Sequence, residues 1–177
     1  MGKILMKFCD LIDRINDYVG KTTMWIAFII MILTVYEVVS RYVFKVANDW
    51  IFEVTIMAIG AQWALCGGFA LSKGAHVAID ILSGKCSKKV QAFLDIISYC
   101  IFFFPTMIII FIKGIEFAGK SWAVKEVTWS RFPAPLYLQK TIIPVMAFLL
   151  LIQGVAMFVR RINEIITKTN KEDEGGK

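Results

Sequence analysis

The sequence predicts an all-α integral membrane protein: four transmembrane helices plus an N-terminal amphipathic interfacial helix, with both termini cytoplasmic. Three observations carry that prediction. The chain is 58% hydrophobic and 19% charged, whereas soluble domains lie near about 45–50% apolar and about 25% charged. Its mean hydropathy is +0.65. Its apolar residues are gathered into long blocks, and about 20 helical residues at about 1.5 Å each cross a hydrocarbon core of about 30 Å.

Residues 1–20 come first. In "KILMKFCDLIDRINDYV", Ile4, Leu5, Phe8, Leu11, Ile12, Ile15 and Val19 recur at helical spacing, with Lys3, Lys7, Asp10, Asp13, Arg14 and Asp17 on the other face. A secretory signal core tolerates no such charges, and no small-residue cleavage site follows. The segment reads as a helix lying on the membrane surface or against a partner.

A four-helix membrane domain follows over residues 21–161. The first span, about 24–44, carries Glu37 and Arg41 one turn apart, where they can neutralise each other. The second, about 50–71, aligns Glu53, Met57, Gly60, Ala64 and Gly67/Gly68 on one mostly small face. Such a groove admits another helix closely, either within the bundle or from a partner. The third, about 91–117, contains Pro105, which removes a backbone hydrogen bond and is expected to kink the helix. The fourth, about 135–159, opens after Pro133 and Pro135, contains Pro144, and is expected to stop at Arg160 and Arg161. Residues 162–177 form a polar tail.

Lys and Arg number thirteen on the side of the two termini and the second connection, against seven on the other side. That bias places both termini in the cytoplasm. The connection "AGKSWAVKEVTWSRFPAP" then faces outward, with Trp122 and Trp129 suited to the headgroup belt. The net charge of +6 does not indicate nucleic acid, because the basic residues are scattered at the ends of apolar runs. Cys9, Cys66, Cys86 and Cys100 show no C-x-x-C pair, and all fall inside the cell or the membrane, so no disulfide is expected.

Few residues invite chemistry. "GAHVAIDIL" holds the chain's one histidine, His76, four places before Asp80. On one helical face the two can hydrogen-bond, as a relay, a pH sensor or a capped re-entry turn. A relay needs titratable groups across the bilayer, and only Asp95 follows nearby, so the structural turn is preferred. Glu37, Arg41, Glu53, Asp95, Lys113 and Glu116 all lie within about two turns of a predicted helix end, where snorkelling and pairing cost little. None lies at the midplane, where a carrier of ionic substrate places its charge or broken helix. A single histidine excludes bis-histidine haem, and no catalytic triad, phosphate loop or carboxylate pair emerges. The chain is expected to be no enzyme and to hold no cofactor or metal.

The segments "NDWIFEV", "GAQWALCGGFALSKGAHVAIDIL" and "SRFPAPLYLQKTIIPVMAFLLL", in this order with a kinked third helix between them, resemble the small permease (DctQ-like) subunit of tripartite ATP-independent periplasmic (TRAP) transporters. The resemblance covers about residues 20–165. Its most specific parts are Gly74, His76, Val77 and Asp80 after the glycine-rich helix, and the pair Pro135 and Pro144. It implies a soluble periplasmic substrate-binding protein that captures an organic acid, such as a C4-dicarboxylate or sialic acid. It implies a large multi-helix permease that carries the acid by a sodium-coupled elevator motion in the bacterial inner membrane. The small subunit holds the static scaffold of that permease. Candidates for structural or subunit contacts are then Arg41, Glu53, Gly60, Ala64, Gly67, Gly68, His76 and Asp80; candidates for periplasmic docking are Lys120, Lys125 and Arg131. The competing expectation is a membrane-anchor subunit of a redox complex, another small four-helix bundle.

Overall fold

A computed structural model describes residues 2–73 and 96–175, with side chains described over 6–73 and 96–163. Four helices are long and apolar enough to cross a membrane. Helix α1 spans Gly2–Tyr42 and α2 spans Asp49–Ser72. Helix α3 covers Phe104–Ala123 and is entered through a π-helical turn, Tyr99–Phe103. Helix α4 covers Leu136–Gly175.

Helix α4 is the centre of the bundle and packs against α1, α2 and α3, while α1 also packs along α2. Neighbouring contacts fix the directions. Asp10 of α1 meets Arg160 of α4, and Trp122 of α3 meets Thr141 of α4, so both helices run antiparallel to α4. Gly60 and Gly67 of α2 meet Gln139 and Leu150 in the same order, so α2 runs parallel to α4.

The amphipathic N-terminal segment is not a separate element. It is the first half of α1, which runs through Gly20 into the first span without a break. "GKTT" contains no proline, and Gly20 is held in the helix because its bare Cα faces Phe69 of α2, where a Cβ would overlap the ring. The contact face of this segment also differs from its apolar face. Cys9, Ile12 and Asn16 are buried, whereas Phe8, Leu11 and Ile15 stay exposed. Small and polar side chains thus meet α4, while the large apolar Phe8, Leu11 and Ile15 face away from the bundle.

Helix α1 ends at Tyr42, and Lys45 takes a left-handed φ of 56° in the reversal. The Val46 amide donates to the Ser40 carbonyl, and the Asn48 side chain donates to the Ser40 hydroxyl at 2.8 Å. The expected disturbance at Pro105 takes the form of the π turn rather than a bare kink. Pro105 offers no amide to its own preceding turn, and the Phe104 amide reaches back five residues to the Tyr99 carbonyl. Helix α3 then continues to Ala123, six residues past the expected end at 117. Helix α4 likewise does not stop at Arg160 and Arg161, because two arginines terminate the apolar run without disfavouring helix.

Candidate functional site

Three places gather the polar side chains. The first is a buried seam among α1, α2 and α4. Asn16 and Gln153 are both fully buried. The Asn16 amide donates to Gln153 Oε1 at 2.7 Å, and the Gln153 amide donates to Asp13 Oδ1 at 2.8 Å. Arg160 closes the chain of contacts, 2.6 Å from Asp13 Oδ2 and 3.0 Å from Asp10 Oδ1. The Cys9 thiol lies beside the Ala156 carbonyl at 3.7 Å. A buried polar group must find its partner inside the protein or lose free energy, so this network fixes one register of α1 on α4. Sequence reading passed over Asn16 and Gln153. Asn16 stood at helical spacing from Cys9 and Ile12 in a segment otherwise apolar and charged, and Gln153 was the lone amide in the apolar run 145–159.

The small face of α2 is used largely within the chain. Gly67 packs on Leu150, and Gly68 on Asn16 and Leu149. Gly60 faces Gln139, and with Ala64 it lines a cleft of about 280 Å³ against Leu136, Lys140 and Ile143. On the other side of α4, Gly114 of α3 lies against Ile143 and Pro144.

The second place is the end of α1 and the start of α2. Arg41 donates to Glu37 Oε1 through Nη2 at 2.6 Å and Nε at 3.2 Å, the pairing that their one-turn spacing allows. Glu53 does not reach Arg41. Among the described residues it forms no ion pair, and with Arg41, Asp49, Phe52, Ser130 and Arg131 it borders an open cleft of about 450 Å³. Asp49 stands in the first turn of α2, where the helix dipole favours a carboxylate.

The third place is the α3–α4 connection. Lys125 takes a left-handed φ of 46°, its amide returning to Trp122 O and the Glu126 amide to Ser121 O. These two bonds make a Schellman ending with lysine where glycine is usual. The chain then folds on itself: Val127 bridges Pro135, the Thr128 amide donates to Ala134 O, and the Leu136 amide donates to Glu126 O. Thr128 and Ser130 hydroxyls both donate to Phe132 O. Lys140 pairs with Glu126 at 2.5 Å and stands 4.2 Å from the Phe117 ring centre. The ammonium beside it holds the Glu126 carboxyl below the usual glutamate range. The loop is thus rigid and presents Trp129, which is fully exposed, together with Arg131.

The docking candidates separate in this geometry. Lys120 belongs to a row on α3, with Lys113 and Lys120 both pairing with Glu116, at 2.9 and 2.7 Å. Lys125 and Arg131 stand on the loop, and Arg131 leans toward Asp49 at 3.9 Å. His76, Asp80 and Asp95 lie outside the described residues, as does Cys86. Among the described residues, no group of three His, Cys, Asp or Glu is arranged to hold a metal ion.

Comparison with known families gives one match. The model of the family described as tripartite ATP-independent periplasmic transporters, DctQ component, aligns with residues 30–164. No curated protein matches the chain.

Proposed function

The chain belongs to the DctQ component of the tripartite ATP-independent periplasmic transporters, and on that premise we propose that it is the scaffold of a sodium-coupled organic-acid carrier. In this reading it sits in the bacterial inner membrane with both termini cytoplasmic. It enlarges the immobile part of a large, elevator-type permease subunit and fixes its depth in the bilayer. The acid, of the C4-dicarboxylate or sialic acid type, is delivered by a periplasmic substrate-binding protein. Lys120, Lys125 and Arg131 contribute to docking that protein.

The observation that carries this reading is the direction in which the side chains point. The interhelical polar contacts among Asn16, Gln153, Asp13 and Arg160 are consumed inside the chain. Large apolar residues such as Trp25, Phe28, Trp63 and Ile109 point outward. A carrier sets its polar groups along a conduit; a scaffold needs internal rigidity and apolar contact area. Arg41, Glu53, Gly60 and Ala64, next to open clefts, are the contact positions this role assigns.

Uptake of a radiolabelled organic acid tests it. Proteoliposomes holding the large permease with this chain, supplied with the binding protein and a sodium gradient, are expected to accumulate the acid. Omitting this chain is expected to abolish accumulation. Accumulation by this chain alone, or undiminished accumulation without it, would refute the scaffold reading.

A further inference from the structure

On the reading of this chain as the smaller of two membrane subunits, we propose that the outward stripe Phe8, Leu11, Ile15 and Tyr18 is a docking seam. Its occupant is a helix of the larger subunit, flanked by acidic residues and lying beyond the hydrocarbon core.

The stripe has the spacing of such a seam. Its residues step by three and four, and Trp25 and Ile29 prolong the series in register through Thr22. A repeat averaging 3.5 residues keeps one line of a helix facing a second, supercoiling helix. Nothing described in the chain covers it: Phe8 is 55% and Tyr18 73% exposed.

Height separates its two halves. Lys73, just past the end of α2, reaches Asp17 at 3.3 Å, so α2 ends level with Asp17. The 24 residues of α2 extend about 36 Å, already more than the core of about 30 Å. Phe8 is nine residues farther out, about 13 Å along the axis. Lipid accounts for Trp25 and Ile29 facing outward. It does not account for Phe8 and Leu11, which an upright α1 carries past the headgroups.

Nor is this half of α1 free to lie down on the bilayer. Asp10 and Asp13 are clamped to Arg160, and Asn16 to Gln153, which holds the helix along α4.

The flanks specify the partner's charge. Lys7, Arg14 and Lys21 recur every seventh residue on one side of the stripe, and Lys7 and Arg14 form no ion pair among the described residues. Positions beside a heptad seam select partners by charge. A second copy of this chain fits poorly. Antiparallel, it sets basic row against basic row; parallel, it sets the basic row against Ile12 and Val19.

The test uses the assembled complex in native membranes. The photoreactive p-benzoylphenylalanine replaces Leu11 or Ile15, and irradiation is followed by mass analysis of the adducts. A product with the combined mass of this chain and the larger subunit is expected. Its yield, per chain present in the membrane, should fall about tenfold in the Lys7→Glu/Arg14→Glu background, the loss that about 1.4 kcal/mol of binding produces. Adducts with lipid alone, with the chain itself or with a second copy would overturn the seam while the subunits still co-purify. If the larger subunit does not co-purify at all, the scaffold reading fails and the seam falls with it.

Discussion

Gly68 of α2 leaves open the space that the side-chain amide of Asn16 of α1 occupies. A Cβ at Gly68 would overlap Asn16 Oδ1, and Leu149 of α4 stands 3.5 Å from the same point. Asn16 Oδ1 is buried without an N–H or O–H donor. It rests against the Gly68 backbone, the close approach in which weak Cα–H···O contacts form between helices. One glycine therefore allows three helices to meet at a polar residue.

Gly68→Ala is expected to destabilise the bundle by about 1–3 kcal/mol, the usual cost of overpacking. Gly119→Ala supplies the control, since a Cβ there meets nothing within 4 Å, and it should be neutral or stabilising by up to about 1 kcal/mol. Thermal unfolding in detergent, followed by tryptophan fluorescence, compares the two. Equal effects would contradict the packing described.

Gln153→Leu removes the acceptor of Asn16 and the donor of Asp13 together. A loss of about 1–3 kcal/mol is expected, because Asn16 stays buried without its acceptor, whereas Asp13 is half-buried and keeps Arg160. Adding Asn16→Leu should cost less than the sum of the single changes, since the pair is then removed from both sides. A double-mutant cycle on the same unfolding transition measures that coupling, and strict additivity would argue against the contact.

Lys125 holds a left-handed conformation that glycine adopts freely. Lys125→Gly is expected to stabilise the loop slightly, while Lys125→Val should cost about 1–2 kcal/mol. The difference reads out in limited proteolysis of the segment 124–135, with Lys125→Val cut faster than wild type.

Glu126 titrates below the usual glutamate range because Lys140 sits against it. Its contribution is therefore fully present above the ordinary glutamate pKa and is lost as pH falls through the lowered folded value. The melting-temperature advantage of wild type over Glu126→Gln should be the same at about pH 7 and about pH 6, and should shrink under progressively more acid conditions. An advantage that grows on acidification would reverse the sign of this argument.

Charge reversal on the α3–α4 loop tests docking. Lys125→Glu with Arg131→Glu is expected to slow binding-protein-dependent uptake without lowering the amount of assembled membrane complex. Unchanged uptake would remove the loop from the docking surface. The effect should weaken in high salt, where exposed charges are screened.

Much of the architecture was legible because membrane spans are set by length and apolar content, and α2 departs from its expected ends by one residue at each side. Local spacing alone also gave the Glu37–Arg41 pair. What escaped was governed by contacts distant in sequence. The continuity of α1 depends on Phe69 accommodating Gly20, and the inward turn of Cys9 and Asn16 depends on α4. Phe8 and Leu11, whose pattern reads as a face for the membrane surface or a partner, stay outside the bundle, and the contact with α4 takes Cys9 and Asn16 beside them. Pro105 announced a disturbance, but the choice of a π turn depends on the fit of Phe103 over Gly154 and of Phe104 on Phe158.

The most direct test of the account is affinity purification of this chain, tagged at its C terminus, from membranes solubilised in mild detergent, with its partners identified by mass spectrometry. The account predicts a large multi-helix permease in stoichiometric amount and no haem absorption in the optical spectrum. Recovery of the chain alone, or with redox subunits and a haem signal, would contradict it.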